Sequence, residues 1–107
     1  MNIYTPHCWI TVEVVVNNET HHRILCGWTG GYTYADRWKL SSGIVHIVDT
    51  GSSYHIHNTS GSVYACYKNC EHLNHHTQSV YNHYHKQHNT TNSFKVVPIT
   101  TLLSKYE

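Results

Sequence analysis

Residues 44–67 read Ile-Val-His-Ile-Val-Asp-Thr-Gly-Ser-Ser-Tyr-His-Ile-His-Asn-Thr-Ser-Gly-Ser-Val-Tyr-Ala-Cys-Tyr, and their period decides the fold. Ile44 to Val48 and Ser53 to His57 flank Asp49-Thr50-Gly51-Ser52, a hairpin signal. Asn58-Thr59-Ser60-Gly61 marks a second turn before Val63 to Tyr67. A first turn symmetric about Thr50 and Gly51 pairs Val48 with Ser53, Ile47 with Tyr54, His46 with His55 and Val45 with Ile56. The second turn then sets Ile56 opposite Val63 and Tyr54 opposite Ala65. One face of this meander carries Val45, Ile47, Tyr54, Ile56, Val63 and Ala65, the expected core. The other carries His46, His55, His57, Tyr64 and Cys66. Side chains alternate with period two, so a slip of two residues keeps this division and a slip of one reverses it.

Toward the N-terminus, Trp9 to Val16 alternates with Ile10, Val12, Val14 and Val16 on one side and Thr11 and Glu13 on the other. β-branched residues at period two predict a strand, and Asn17-Asn18 predicts a turn into a second strand, His22 to Cys26. Gly27-Trp28-Thr29-Gly30-Gly31-Tyr32 is a glycine-rich aromatic loop, followed by a short strand around Trp38 to Leu40. After Cys70 the period changes. Leu73, Thr77, Val80, Tyr84 and His88 form a thin apolar stripe at helical spacing, which predicts a helix over about 71–88. Glu71 lies near its positive end and Lys86 near its negative end. Phe94 to Ile99 reads as a final strand whose end Pro98 confines to an edge. The expected architecture is α+β: a small antiparallel sheet or partly open barrel of six or seven strands, covered by one C-terminal helix, in a single domain spanning 1–107.

The 107 residues suffice for one hydrophobic core. Charged residues are only 12% against 39% hydrophobic, and the formal net charge is +1. That balance excludes a basic nucleic-acid coat, an acidic mimic of nucleic acid and a coiled coil. No apolar run approaches the roughly 20 residues of a membrane span. The start, Met1-Asn2-Ile3-Tyr4-Thr5-Pro6, has neither a basic nor an apolar leader segment, so the expectation is a cytoplasmic protein. Cys8, Cys26, Cys66 and Cys70 could pair in any of three ways after export; in the cytoplasm they are four thiols, buried or metal-binding. Twelve His, nine Tyr and three Trp are the unusual part, supplying stacking surface and neutral hydrogen-bonding groups without fixed charge.

Cys66, Cys70, His72 and His76 are the sharpest candidates for zinc ligands, because thiolates and imidazoles are its preferred donors. Their spacing fits no standard finger. A strand thiol, a helix-start thiol and solvated histidines explain the same residues. The row His46, His55, Tyr64, flanked by His57 and Cys66, is the second candidate, since cross-strand neighbours lie about 5 Å apart and could share a ligand. An ordinary solvated sheet face is the competing explanation. A Cys66–His55 dyad rests on register alone, and no nucleophile elbow, dinucleotide fingerprint or His-Glu-x-x-His motif occurs.

Three stretches, Cys26-Gly27-Trp28-Thr29-Gly30-Gly31-Tyr32, Trp38-Lys39-Leu40-Ser41-Ser42-Gly43-Ile44 and Ser60-Gly61-Ser62-Val63-Tyr64-Ala65-Cys66, together resemble a type of small accessory protein encoded by tailed bacteriophages. The resemblance covers roughly residues 23–70 and carries no assigned active site. It implies a phage-encoded protein acting in the host bacterial cytoplasm, where accessory proteins of this size counter host defence.

The leading expectation is therefore a non-enzymatic phage-type binding protein that inhibits or sequesters a host component, either a defence protein or a nucleotide signal. Trp28, Tyr32, Tyr34 and Trp38 would supply stacking, and His46, His55, His57 and Tyr64 hydrogen bonds. Self-association into a homo-oligomer is a further option for the histidine face. The alternative is a zinc-stabilised protein-interaction module, and an enzyme comes third. Otherwise no cofactor is expected.

Overall fold

The computed structural model describes residues 3–29, 37–87, 89 and 91–107. Eight strands occur among them: β1 (Ile3–Tyr4), β2 (Cys8–Val16), β3 (Glu19–Trp28), β4 (Arg37–Leu40), β5 (Ile44–Asp49), β6 (Ser53–Asn58), β7 (Val63–Tyr67) and β8 (Ser93–Val97). Helix α1 (His75–His85) precedes β8 and helix α2 (Ile99–Tyr106) follows it. The α+β class is as expected, but the strands form two four-stranded sheets, in the orders β1-β7-β6-β5 and β4-β3-β2-β8, rather than one sheet or barrel.

The second sheet is the middle layer. On one face Ile10, Val12, Val14, Leu25 and Phe94 pack with Leu73, Val80, Tyr81 and Tyr84 of the α1 segment. On the other, Trp9, Ile24 and Cys26 meet Ile44, Ile47, Tyr54, Ile56, Tyr64 and Cys66 of the first sheet. β2 is thus buried on both sides, and even Thr11 is fully enclosed, its hydroxyl donating to the Val97 carbonyl. Asn17 and Asn18, both at positive φ, make the tight turn that joins β2 to β3. Helix α1 also protects the exposed edge of β8: the Val96 N–H donates to the Tyr81 hydroxyl and His85 donates to the Phe94 carbonyl.

Four sequence expectations need correction. First, β6 and β7 pair one residue out of the expected register, with Tyr54 opposite Cys66 and Ile56 opposite Tyr64. Asn58 to Ser62 form the loop, with Gly61 at φ 90° and the buried Asn58 side chain donating to the Ile56 and Ser62 carbonyls. An odd loop length turns Tyr64 and Cys66 into the core and sends Ala65 to the other face. Second, β5 and β6 pair Ile47 with Ile56 and Val48 with His55, a slip of two that preserves the faces. A bulge between Ile44 and His46 nevertheless throws Val45 outward, leaving it 51% exposed.

Third, α1 starts at His75, capped by Asn74, rather than near 71, and its helical residues end at His85. The Asn74 side chain accepts from the Thr77 N–H at 2.8 Å while the Asn74 N–H donates to the Thr77 hydroxyl at 2.9 Å, a reciprocal cap. Fourth, the last strand stops at Val97 and a second helix begins at Ile99. Glu71 serves this helix instead of α1: the Ile99 N–H donates to its carboxylate at 3.0 Å. α2 inserts Ile99 and Leu102 into the inter-sheet core. Its far end is held by the buried His22, whose Nδ1 lies 2.6 Å from the Tyr106 hydroxyl and whose Nε2 lies 3.3 Å from Glu13. A carboxylate only accepts, so Nε2 carries a proton and donates it toward Glu13. Burial raises the Glu13 carboxyl, but hydrogen bonds from Lys95 and His22 outweigh it and hold the group below its ordinary range.

α1 meets β3 at Gly27, where an added Cβ would overlap the Thr77 methyl and press on Cys8 Sγ at 3.3 Å. Gly27→Ala should therefore destabilise the protein by about 1–3 kcal/mol, the usual cost of overpacking. Thr77→Ser removes the obstructing methyl and keeps the capping hydroxyl, so the double variant should be less destabilised than the two single losses added together. Urea denaturation of the four proteins measures this; strict additivity would show that the helix does not sit against Gly27.

Candidate ligand-binding cleft

β1 and β4 each lie at one edge of their sheets, and between them lies an open cleft of about 400 Å³. Ile3, Tyr4 and Thr5 form one side; Trp28, Arg37, Trp38 and Lys39 form the other. β1 reaches this position by pairing in parallel with β7, Tyr4 opposite Tyr64. β4 pairs antiparallel with β3, so Arg37 stands beside Trp28 and Lys39 beside Cys26 on one face, with Trp38 between them on the other.

The lining is aromatic and cationic. The Trp28 indole N–H donates to the Thr5 carbonyl at 3.0 Å, which fixes the ring. Tyr4 meets Trp28 edge-on at 6.4 Å between ring centres and stacks on the buried Tyr64 at 5.0 Å. The Arg37 guanidinium lies 5.7 Å over Trp28 and the Lys39 ammonium 5.0 Å over Tyr4. Trp38 is 39% exposed and braced edge-on by Tyr84. Among the described residues no carboxylate lines the cleft. Two cations held over ring faces favour an anion with a flat apolar part, because cation–π and charge-assisted contacts act on neighbouring atoms of such a ligand.

Of the expected binding residues, Trp28 faces the cleft, whereas Trp38 borders it from the other face of β4, where its ring packs against Tyr84. Tyr32 and Tyr34 lie outside the described residues. Tyr64 stands behind Tyr4 in the core, and burial pushes its hydroxyl upward. His46, His55 and His57 are elsewhere, on the outer face of the first sheet. Sequence reasoning missed Tyr4, Arg37 and Lys39. Arg37-Trp38-Lys39, cations alternating about an aromatic in a short strand, was the available signal; nothing local marks Ile3-Tyr4 as the strand beside β7.

The candidate zinc ligands are dispersed. Cys66 is fully buried in the inter-sheet core, Cys70 sits in a 3-10 turn, His72 is exposed beside Trp9, and His76 is in the first turn of α1. Among the described residues no three His, Cys, Asp or Glu are grouped to hold a metal. The proposed Cys66–His55 dyad is corrected by the register, which puts the two side chains on opposite faces of the sheet. All four cysteines are free. Burial pushes the Cys26 thiol up to about 12 and the Cys66 thiol well above its ordinary value.

Comparison with known proteins gives no match, either to a family model, to a curated protein or to a solved structure. No described helix is long and apolar enough to cross a membrane.

The thiolate is the reactive form, and a thiol raised to about 12 holds almost none of it at pH 8. In the folded protein Cys70, the half-buried one, should therefore alkylate first, and Cys26 and Cys66 only when the chain unfolds. Peptide mapping after iodoacetamide treatment, with and without denaturant, reads the order. Fast labelling of Cys26 or Cys66 would contradict the packing of the two sheets.

Proposed function

We propose that this chain is a non-enzymatic binding protein that sequesters a nucleotide in the cleft between β1 and β4. One observation carries the reading: Tyr4 and Trp28 share a cleft with Arg37 and Lys39, and among the described residues no acidic group lines it. A base supplies the flat ring and a phosphate the charge. A volume of about 400 Å³ matches a mononucleotide-sized ligand or half of a larger one. The resemblance of residues 23–70 to phage accessory proteins supports the setting: in the bacterial cytoplasm, removal of a nucleotide signal silences the defence that depends on it.

A second reading, direct inhibition of a host protein, is favoured by the outer face of the first sheet, where Ile3, Val48 and Tyr67 are exposed beside the histidines.

Titration of the folded protein with AMP, GMP, cyclic dinucleotides and inorganic phosphate, followed by calorimetry and tryptophan fluorescence, tests the first reading. Binding should weaken as salt is raised, because fixed charges contribute. Trp28→Ala should lose about 1–3 kcal/mol of affinity, the scale of one base–aromatic stack. Trp28 also holds Thr5, so Arg37→Ala and Lys39→Ala, both surface changes, provide the test that leaves the fold intact. No nucleotide binding by the wild type, or binding unchanged in all three variants, would move the function to the sheet face.

A further inference from the structure

We propose that His46 and His57 form a binding site for an imidazole-preferring divalent metal ion, such as zinc, nickel or copper, on the outer face of the first sheet. The site shares no residue with the cleft. His46 and His57 are direct partners across β5 and β6, with ring centres 5.7 Å apart and planes inclined at 44°. Two imidazoles bound to one zinc at about 2.0–2.1 Å in tetrahedral geometry place their ring centres about 5 Å apart. Small side-chain rotations bridge that difference, and the strand ladder already fixes the two backbones.

The hydrogen bonding of His46 is what a ligand requires. Its Nδ1 lies 2.9 Å from the Tyr106 carbonyl oxygen. A carbonyl only accepts, so Nδ1 carries the proton and Nε2 presents its lone pair. Metal-ligating histidines almost always donate their second ring N–H to such an acceptor, which fixes both tautomer and orientation. The C-terminal turn of α2 supplies that acceptor here. His57 is half-buried, and neither of its ring nitrogens is hydrogen-bonded to a described residue, so its lone pair is also available. Imidazole donors suit zinc, copper and nickel and not magnesium or calcium. Two protein ligands leave the remaining positions to water.

The test uses the full chain at pH 7.5, titrated with Zn²⁺ by calorimetry and with Ni²⁺ while the histidine ring resonances are followed by NMR. The first equivalent of Ni²⁺ should broaden His46 and His57 before any other histidine. Each single alanine substitution should weaken the tightest Zn²⁺ step by about tenfold or more, the scale on which metal sites respond to loss of a supporting group. His46→Ala also removes the bond to Tyr106, so His57→Ala, which leaves it in place, is the deciding variant. His75→Ala, an exposed change on α1, should have no effect on that step. Early broadening at other histidines, or a tight step unchanged in His57→Ala, overturns the site.

Discussion

β2 is covered on both faces, and most of the architecture follows from that constraint. Its even residues need a helix and its odd residues need a second sheet, so one nine-residue strand calls up three layers. Trp9 is the anchor. It is wholly buried, its indole N–H donates to the Tyr67 carbonyl at 2.8 Å, and its ring meets Tyr54 edge-on. Burying an indole contributes on the order of 4–6 kcal/mol at the usual rate per unit of apolar area, as an upper value. That is comparable to the whole net stability of a small domain. A chain of this size can hold two sheets together because single residues of that kind sit at the join.

The same join explains the cysteines. Cys8, Cys26 and Cys66 are buried, Cys26 and Cys66 in the inter-sheet core and Cys8 against Gly27 and Thr77. Cys8 Sγ fits between the Gly27 carbonyl and the Thr77 hydroxyl, each 3.8 Å away. These thiols act as small hydrophobes with a weak donor, a common use of free cysteine. The clustering of Cys66 and Cys70 with His72 and His76 in sequence is a consequence of a strand running into a turn and then a helix.

The two sheets close over their core at the β5 side through α2, and they separate at β1 and β4. The closing contacts are polar and cross the whole chain: Glu71 to Ile99, His22 to Tyr106 and His46 to Tyr106. The opening is lined by rings and cations. This division separates an aromatic, cationic cleft at one side from a histidine pair on the outer face of the first sheet. With so little fixed charge elsewhere, Arg37 and Lys39 carry more of the local field than they would on an ordinary surface.

The strands and turns of residues 8–67 were legible because alternation, asparagine pairs and turn glycines are local signals. The outward position of His46, His55 and His57 was legible for the same reason, since a slip of two does not move a face. The inward position of Tyr64 and Cys66 was not, because one extra loop residue at Asn58–Ser62 reverses a strand and no local pattern counts it. Trp28 stood out by composition, whereas Tyr4 joined it only through a two-residue parallel pairing across sixty positions of chain. α2 was not anticipated, because the final strand was carried on to Ile99; the carboxylate that accepts from the first N–H of the helix comes from Glu71, twenty-eight residues earlier. Local period and turn chemistry, which act over a few residues, were determined by the sequence alone. Register across an odd loop, the second cover on β2 and the meeting of edge strands depend on contacts between distant residues, and only the tertiary structure decided them.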